Sequence, residues 1–258
     1  MSLFTHTTGQ GPALLLIHGW GMNGDVWEGL LPALEPHFRV TTVDLPGHGR
    51  SVDDIGAFTL PALAGAIADI APAPTHVVGW SLGGLVATQF ALDYPERAQR
   101  LALVASAPRF VQDDDWPDGV APEVLEGFAD GLVADFQGTI RRFIAIQAIG
   151  SEHARDQQRT LRERVFRHGN PQPRALERGL DILQQADLRP RLPELRCDTL
   201  LINGEHDTLF RPAAARQTLA LMARARLEII DGAGHAPFLS HPDRFLTSLT
   251  PFLQQDTP

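Results

Sequence analysis

Three residues that lie far apart in the chain, Ser81, Asp207 and His235, could together form a nucleophile, a base and an acid. A serine hydroxyl is a weak nucleophile at neutral pH, so it needs an adjacent base that is itself oriented by a third group. In such a unit, His235 takes the proton of Ser81 during attack and later returns a proton to the leaving alcohol. Asp207 holds the imidazole in the required tautomer. The expected chemistry is ester hydrolysis through an acyl-enzyme.

Ser81 occupies the centre of a G-x-S-x-G motif at residues 79–83, G-W-S-L-G. The apolar run 75–78 precedes the motif and a helix-like stretch, 85–92, follows it. Strand, sharp turn and helix form the context that this motif requires. We expect a strained backbone at Ser81, with glycines on either side because side chains there would strike neighbouring backbone. The serine hydroxyl should therefore be held out at the top of a sheet, with the positive end of a helix beneath it.

Asp207 and His235 each follow an apolar run, 199–203 and 227–230 respectively. Carboxyl ends of parallel strands meet at one edge of a sheet, where α/β proteins gather their ligand sites. The chain order Ser, Asp, His is that of α/β-hydrolases. Asp231 and Glu205 are rival candidates for the acid, but each precedes the expected turn position. His206 is the rival candidate for the base, and its place beside Asp207 in the sequence makes its side chain expected to point away.

Attack on an ester creates an oxyanion, which needs two preorganised hydrogen-bond donors. One should be the backbone N–H of Leu82, the residue after the nucleophile. The other should be the N–H of Trp20, in the loop H-G-W-G at residues 18–21 that follows the apolar run 12–17. The large side chain of Trp20 is also expected to line the substrate pocket.

The apolar runs 12–17, 39–43, 75–78, 100–105, 199–203 and 227–230 suit strands that are buried on both faces. Helical stretches separate most of them, which predicts a mostly parallel sheet with helices on both faces. From residue 108 to residue 195 the apolar residues instead fall at helical spacing. We therefore predict an α/β-hydrolase core, 1–107 and 196–258, with a helical lid, 108–195, inserted over the sheet's carboxyl edge.

Composition limits the remaining function classes. The net charge of −9 argues against nucleic-acid binding, and no apolar run is long enough to span a membrane. The N-terminal residues lack signal-peptide character, and a single cysteine suits a reducing compartment, so we expect a cytoplasmic protein. We also expect a monomer.

All 22 basic residues are arginine, which excludes catalysis by lysine. No set of histidine, cysteine and aspartate has metal-ligand spacing apart from the triad, so we expect no metal or other cofactor.

Arginines are concentrated in the predicted lid. Between residues 139 and 178 the chain has nine arginines and four acids, a balance of +5 that leaves −14 for the rest. Such a cluster is often only a solvated helix face. Here a basic island lies on an acidic protein above the predicted site, which favours an anionic or acidic partner. The nine arginines are Arg141, Arg142, Arg155, Arg159, Arg162, Arg164, Arg167, Arg174 and Arg178.

These features together resemble the BioH family of pimeloyl-[acyl-carrier protein] methyl ester esterases. The matching stretches are H-G-W-G-M-N at 18–23, V-D-L-P-G at 43–47, G-W-S-L-G-G-L-V-A at 79–87, D-W-P at 115–117, R-F-I-A-I-Q at 142–147 and A-G-H-A-P-F at 233–238. The resemblance spans nearly the whole chain. It implies removal of a methyl ester from an acyl chain that acyl carrier protein carries on its phosphopantetheine arm.

The resemblance also implies roles for lid residues. Phe143 and Gln147 would line the acyl channel, together with Trp20, Ser81, Leu82 and His235. The contacts for the acidic carrier would be Arg142, Arg155 and Arg159. One departure from the family is Gly138, where another basic residue is expected; Arg141 is a candidate to compensate for it.

Two other functions remain open at this stage. The same triad could serve a broad short-chain carboxylesterase or a carbon–carbon bond hydrolase. A hydrolase scaffold can also act as a non-catalytic ligand receptor. Haloalkane dehalogenation requires a carboxylate at the position of Ser81 and does not fit.

Overall fold

The computed structural model describes residues 2–51, 56–149 and 151–255. Within them, seven strands form one sheet in the order β1-β3-β2-β4-β5-β6-β7. β1 pairs antiparallel with β3, and all other neighbours are parallel, so the prediction of a mostly parallel sheet is confirmed. The strands are β1 (Thr5–Thr8), β2 (Ala13–Ile17), β3 (Arg39–Val43), β4 (Thr75–Trp80), β5 (Ala98–Val104), β6 (Asp198–Gly204) and β7 (Ala225–Ile230).

The edge strand β1 was not expected from the sequence. It is only four residues long, T-H-T-T, and three of the four are exposed. A short polar strand at a sheet edge buries no apolar face, so it lacks the alternation by which strands are recognised. Its side chains contribute one cross-strand contact, between the hydroxyls of Thr7 and Thr41 at 2.9 Å.

The described chain contains ten α-helices, and two 3₁₀ segments at Gly24–Leu30 and Arg189–Glu194. Helix α3 follows Ser81 directly, and its residues 82–92 are all buried. The helices are α1 (Leu31–Leu34), α2 (Leu60–Ile70), α3 (Leu82–Asp93), α4 (Pro122–Ala134), α5 (Phe136–Gln147), α6 (Ala154–Phe166), α7 (Pro173–Gln185), α8 (Pro212–Ala220), α9 (Pro237–Ser240) and α10 (Pro242–Gln254). None of them is long and apolar enough to cross a membrane, as far as the described residues go.

The register of the parallel strands explains where the predicted site residues meet. Gly79 on β4 pairs with Ile17 on β2 and Leu103 on β5, while Gly204 on β6 pairs with Ile230 on β7. β2, β4 and β5 therefore end within one residue of one another, and β6 and β7 run about two residues further in the same direction. The loops that follow them carry Trp20, Ser81, Asp207 and His235 to one edge of the sheet.

Four helices, α4 to α7, lie between β5 and β6 in the chain, inside the segment for which the sequence predicts a lid. Helix α4 packs on α5 and α7, α7 packs on α3, and α6 packs on the 3₁₀ segment Gly24–Leu30. The helices of this segment, which we call the lid, thus contact the elements on either side of Ser81.

Candidate active site

The turn at Ser81 has the strained geometry that the motif predicts. Ser81 adopts φ 55° and ψ −120°, which an L-residue rarely populates. Its N–H donates to the carbonyl of Val104 at 2.9 Å, and its carbonyl accepts from the N–H of Gly84 at 2.9 Å. A Cβ added at Gly79 would lie 2.3 Å from the carbonyl oxygen of Gly83. A Cβ at Gly83 would lie 2.5 Å from the carbonyl oxygens of Ile17 and His18, so close backbone contacts require glycine at both positions.

A buried serine outside the motif supports the same turn. The hydroxyl of Ser106, which follows β5, donates to the carbonyl of Ser81 at 2.8 Å. A Cβ at Gly84 would lie 2.3 Å from that hydroxyl oxygen, so the third glycine of the motif makes room for it. Ser106 was not identified from the sequence because nothing in its local pattern marks this contact.

Asp207 and His235 are in direct contact. His235 Nδ1 lies 2.8 Å from Oδ2 of Asp207, and both side chains are almost fully buried. The other carboxylate oxygen, Oδ1, accepts the N–H groups of Leu209 and Phe210 at 2.9 and 2.8 Å. These two bonds fix the carboxylate, which in turn orients the imidazole with its Nδ1–H toward the acid. Nε2 of His235 is buried and has no hydrogen-bond partner among the described residues, so its lone pair is free to accept a proton.

Two contacts fix the backbone of His235. Its N–H donates to the carbonyl of Gln147, at the end of lid helix α5, at 3.2 Å. Its carbonyl accepts the indole N–H of Trp80 at 2.9 Å. Trp80 is the residue before Ser81, so a single turn both presents the serine and positions the histidine. The sequence identified the Trp80 position only as part of the motif and gave no sign of this bond.

The three rival residues point elsewhere. Asp231 is 72% exposed at its side chain and pairs with Arg244 at 3.1 Å. Glu205 accepts the N–H of Gly232 at 3.0 Å and lies 3.5 Å from Nε2 of His206. The structure therefore brings Asp207, and none of these three, into contact with His235.

The two predicted oxyanion donors lie on loops that touch each other. A Cβ added at Gly19 would lie 3.3 Å from Cβ of Ser81, so the loop 18–21 packs directly on the serine turn. Within the described chain, neither the N–H of Trp20 nor that of Leu82 donates to a protein acceptor. Both N–H groups thus remain available to a ligand atom.

Two buried histidines support the loop that carries Trp20. His18 Nδ1 lies 2.7 Å from the carbonyl of Gly19, and His48 Nε2 accepts the N–H of Gly21 at 3.3 Å. His18 Nε2 accepts the N–H of Leu45 at 2.9 Å. Burial lowers the pKa of both histidines, that of His48 to about 3. Both are neutral at physiological pH, which their roles as acceptors require.

Helices α5 and α7 contact the side chain of Trp20. The indole N–H of Trp20 donates to the carbonyl of Leu176 on α7 at 2.8 Å, and the ring lies edge-on to Phe143 of α5 with centroids 4.6 Å apart. Ser81 is only 5% exposed, and Gln147 is fully buried. Phe143 thus contacts the ring of Trp20, and the backbone of Gln147 contacts that of His235.

The arginines of the lid fall into two groups. Arg164 and Arg167 pair with acids of the segment Gly24–Leu30, and so their charges are directed to the core. The other group includes the three that the family resemblance assigns to the carrier. Arg142 donates to the hydroxyl of Thr139, Arg159 pairs with its helix neighbour Asp156, and Arg155 has no partner among the described residues; all three are exposed.

Gly138 has a structural explanation. The side chain of Asp135 caps helix α5 and accepts the N–H of Gly138 at 3.0 Å. A Cβ at residue 138 would lie 1.9 Å from that carboxylate. A side chain at residue 138 would therefore require the Asp135 carboxylate to move and would disturb this cap. The nearest basic residue, Arg141, reaches only Gln137, at 3.5 Å.

Comparison with known proteins agrees with this geometry. A family model described as the alpha/beta hydrolase fold matches residues 12–242. The chain superposes on an esterase from Exiguobacterium antarcticum with a TM-score of 0.89 at 23% identity, over 98% of this chain and 96% of that one, a likeness of fold. The chain belongs to the α/β-hydrolase family.

Relatives of higher sequence identity identify the family within the α/β-hydrolases. The chain is 47% identical to a pimeloyl-[acyl-carrier protein] methyl ester esterase of Aeromonas hydrophila over 254 residues, which cover 98% of this chain and 100% of the relative. It is 43% identical to a protein of the same name from Xanthomonas oryzae over 245 residues, 95% of this chain and 96% of the relative. Among the α/β-hydrolases, it is therefore a member of the BioH family that the sequence motifs indicated.

Proposed function

We propose that this protein is a serine esterase that hydrolyses the methyl ester of a pimeloyl chain carried on acyl carrier protein, with Ser81, His235 and Asp207 as its catalytic residues. The observation that carries the proposal is the buried hydrogen bond between Asp207 and His235, next to a strained serine turn. The names of the full-length relatives supply the substrate.

The reaction follows from the groups present. His235 Nε2 takes the proton of Ser81 as Oγ attacks the ester carbonyl carbon, and the negative charge moves to the carbonyl oxygen. The N–H groups of Trp20 and Leu82 donate to that oxygen. When the C–O bond to the methoxy group breaks, His235 gives its proton to the leaving methanol. Water then attacks the acyl-enzyme by the same route, releasing the free carboxylate and restoring Ser81.

The acyl chain would enter beneath the lid. Phe143 contacts the ring of Trp20, and the carbonyl of Gln147 accepts the N–H of His235, which supports their assignment as lining residues. Phe128 of α4 completes an aromatic group with Phe143 and Trp20, with ring centroids 5.4 and 6.2 Å away. Phe128 and Arg142 also line one surface groove, so the entrance for a long chain lies between α4 and α5.

The carrier protein would bind to the outside of the same helices. Arg155 and Arg159 lie one turn apart on α6, on the side away from its buried residues Gln157, Leu161 and Val165. With Arg142 they form the surface that we call the lid arginines. An acidic carrier would be attracted to this basic part of an otherwise acidic protein. Gly138 adds no charge there, so the contact would depend on the remaining arginines.

The remaining expectations belong to the same proposal. They are a core of residues 1–107 and 196–258 with a lid of residues 108–195, a monomer located in the cytoplasm, no need for a cofactor, and no nucleic-acid or membrane partner. The large exposed apolar residues of the described chain are spread over several elements, which supports the monomer. Sedimentation of the purified protein and assay after chelation test the monomer and the cofactor.

Incubation with methyl-pimeloyl carrier protein, followed by mass spectrometry, tests the function directly. We expect the loss of one methyl group with the wild type and none with Ser81→Ala. A chromogenic short-chain ester serves as the parallel substrate. Hydrolysis of the short ester alone would indicate a broad carboxylesterase, whereas activity on neither substrate would indicate a ligand receptor on a hydrolase scaffold.

A further inference from the structure

A second group of polar side chains meets outside the triad. One potential ligand atom from each of Glu152, His153 and His241 lies within 4.8 Å of the others. Glu152 and His153 are exposed and directly precede lid helix α6, while His241 is half-buried and joins α9 to α10 in the core. The rings of the two histidines lie 5.5 Å apart. The spacing of these residues in the sequence did not reveal the group because its parts come from distant segments.

The backbone holds these side chains in place from both sides. The N–H of Glu152 donates to the carbonyl of Gly232 at 3.2 Å, and the carbonyl of His153 accepts from Gln157 at 3.1 Å in the first turn of α6. On the core side, the N–H of His241 donates to Pro237 at 2.9 Å, and its carbonyl accepts from Phe245 at 3.0 Å. Little backbone ordering would therefore be needed for the three side chains to converge.

One histidine is already oriented as a metal ligand. His241 Nδ1 lies 2.9 Å from the hydroxyl oxygen of Ser240, which itself donates to the carbonyl of Ala236 at 3.5 Å. In the tautomer whose Nδ1–H donates to this hydroxyl, the lone pair of His241 lies on Nε2. Ligand histidines in metal sites have the same kind of outer partner on their second nitrogen.

We propose that Glu152, His153 and His241 bind one Zn²⁺ ion, or a similar transition-metal ion, and so join the start of α6 to the core. Two imidazoles and one carboxylate are a donor set that suits zinc, whereas Mg²⁺ and Ca²⁺ prefer oxygen ligands alone. Water would complete the tetrahedron. Arg244 is the nearby cation, and its charge is partly balanced by its ion pair with Asp231.

The position of this site gives it a structural role. It lies across residues 232–236, the loop that carries His235, since Glu152 contacts Gly232 and His241 follows α9. Bound metal would link the two supports of that loop without touching the triad. An ion that binds only the folded state raises the unfolding temperature, by about 5–10 °C for a chain of this size at about 100 times the dissociation constant.

The test uses the full chain after EDTA treatment and dialysis, titrated with ZnCl₂ in a calorimeter and then heated with and without Zn²⁺. We expect one ion per chain and a raised unfolding temperature, with no effect of MgCl₂. His153→Ala, at an exposed position, should weaken Zn²⁺ binding at least about tenfold. Ser240→Ala, which removes only the outer partner, should weaken it by about tenfold or more.

The matched control is His37→Ala, which removes an exposed histidine far from the group and should leave Zn²⁺ affinity unchanged. Each variant is first checked for an unfolding temperature near that of the wild type in EDTA. No measurable Zn²⁺ binding to the wild type would refute the site. Equal affinity in wild type, His153→Ala and Ser240→Ala would also refute it, because the ion would then bind elsewhere on the surface.

Discussion

The buried triad and the exposed lid arginines are held in opposite ways. Asp207 and His235 are almost fully buried, and each has several partners that fix its position. Arg155 and Arg159 are exposed, and among the described residues their side chains make one ion pair, that of Arg159 with Asp156. Close packing and short hydrogen bonds fix the positions of the triad side chains. The lid arginines instead act through the summed charge of a helix face.

This difference determines how each region should respond to change. Fixed dipoles in a site that excludes water act strongly and are little affected by salt. Exposed charges act weakly as pairs but steer a charged partner from a distance, and salt screens them over about 8 Å at physiological ionic strength. We therefore expect the triad to be sensitive to single atoms and to pH, and the lid arginines to net charge and to salt.

The largest effect should come from removing the nucleophile or the base. Ser81→Ala and His235→Ala should each lower kcat by about 10⁶-fold, because the members of such a unit act together. Turnover of a chromogenic ester measures the loss, and circular dichroism checks the fold. A residual rate within about a hundredfold of the wild type would mean that another group performs the reaction.

Replacing the acid should have the next largest effect. Asp207→Asn should lower kcat by roughly 10⁴-fold, since the amide favours the wrong imidazole tautomer. Asp231→Asn is the matched control, because Asp231 also follows a late strand but pairs with Arg244 at the surface. Its kcat should stay near that of the wild type. The reverse pattern would transfer the role of the acid to Asp231.

Reversing the charge of the lid arginines should change KM for the carrier-bound ester only. Changing Arg142, Arg155 and Arg159 to Glu should raise KM for the carrier-bound ester by about tenfold or more at low salt, since steering raises association rates by 10–10³. The KM of a small neutral ester should change little. Added salt should raise KM more in the wild type than in the reversed variant.

The matched control reverses three exposed arginines outside the lid, Arg39, Arg216 and Arg224, which gives the same net charge. If this control raised KM as much as the lid variant did, only total charge would matter. If the lid variant affected both substrates equally, the carrier would have no contact with these arginines.

The smallest effect concerns pH and the buried histidines. Because burial lowers the pKa of His48 to about 3, from about 6.5 in the unfolded chain, the unfolded state binds more protons below pH 6.5. The free energy of unfolding should therefore fall as pH drops from 6.5 toward 3, by about 1.4 kcal/mol per unit from His48 alone. His48→Gln keeps an acceptor for Gly21 but does not titrate.

Urea unfolding at pH 7, 6, 5 and 4 measures this slope in both proteins. We expect the free energy of unfolding of the wild type to fall more steeply with decreasing pH than that of His48→Gln, by a difference of about one proton. The other buried histidines contribute equally to both proteins. Identical slopes would mean that His48 is protonated, or solvated, in the folded state.

Much of the fold could be predicted, because buried parallel strands are recognisable as apolar runs. The same is true of the serine turn and the Asp207–His235 contact, since motif glycines and strand ends mark their positions. The sequence does not mark bonds between a side chain and a distant backbone. The bonds of Trp80 to His235 and of Ser106 to Ser81 are of this kind. The bond from Arg164 to the carbonyl of Val26 is another example. With the ion pair to Glu28 it holds this guanidinium against the core, whereas the sequence alone counts Arg164 like any other lid arginine.

The attachment of Trp20 to the lid has an optical consequence. Trp27, Trp80 and Trp116 lie against Phe238, His235 and Arg189, whereas the indole of Trp20 lies against Phe143 and donates to Leu176, both on lid helices. If those helices move aside, water reaches the ring of Trp20. Its fluorescence emission should then shift to longer wavelength. Trp20 is thus an intrinsic fluorophore at the proposed oxyanion site, by which opening can be followed in real time without a label.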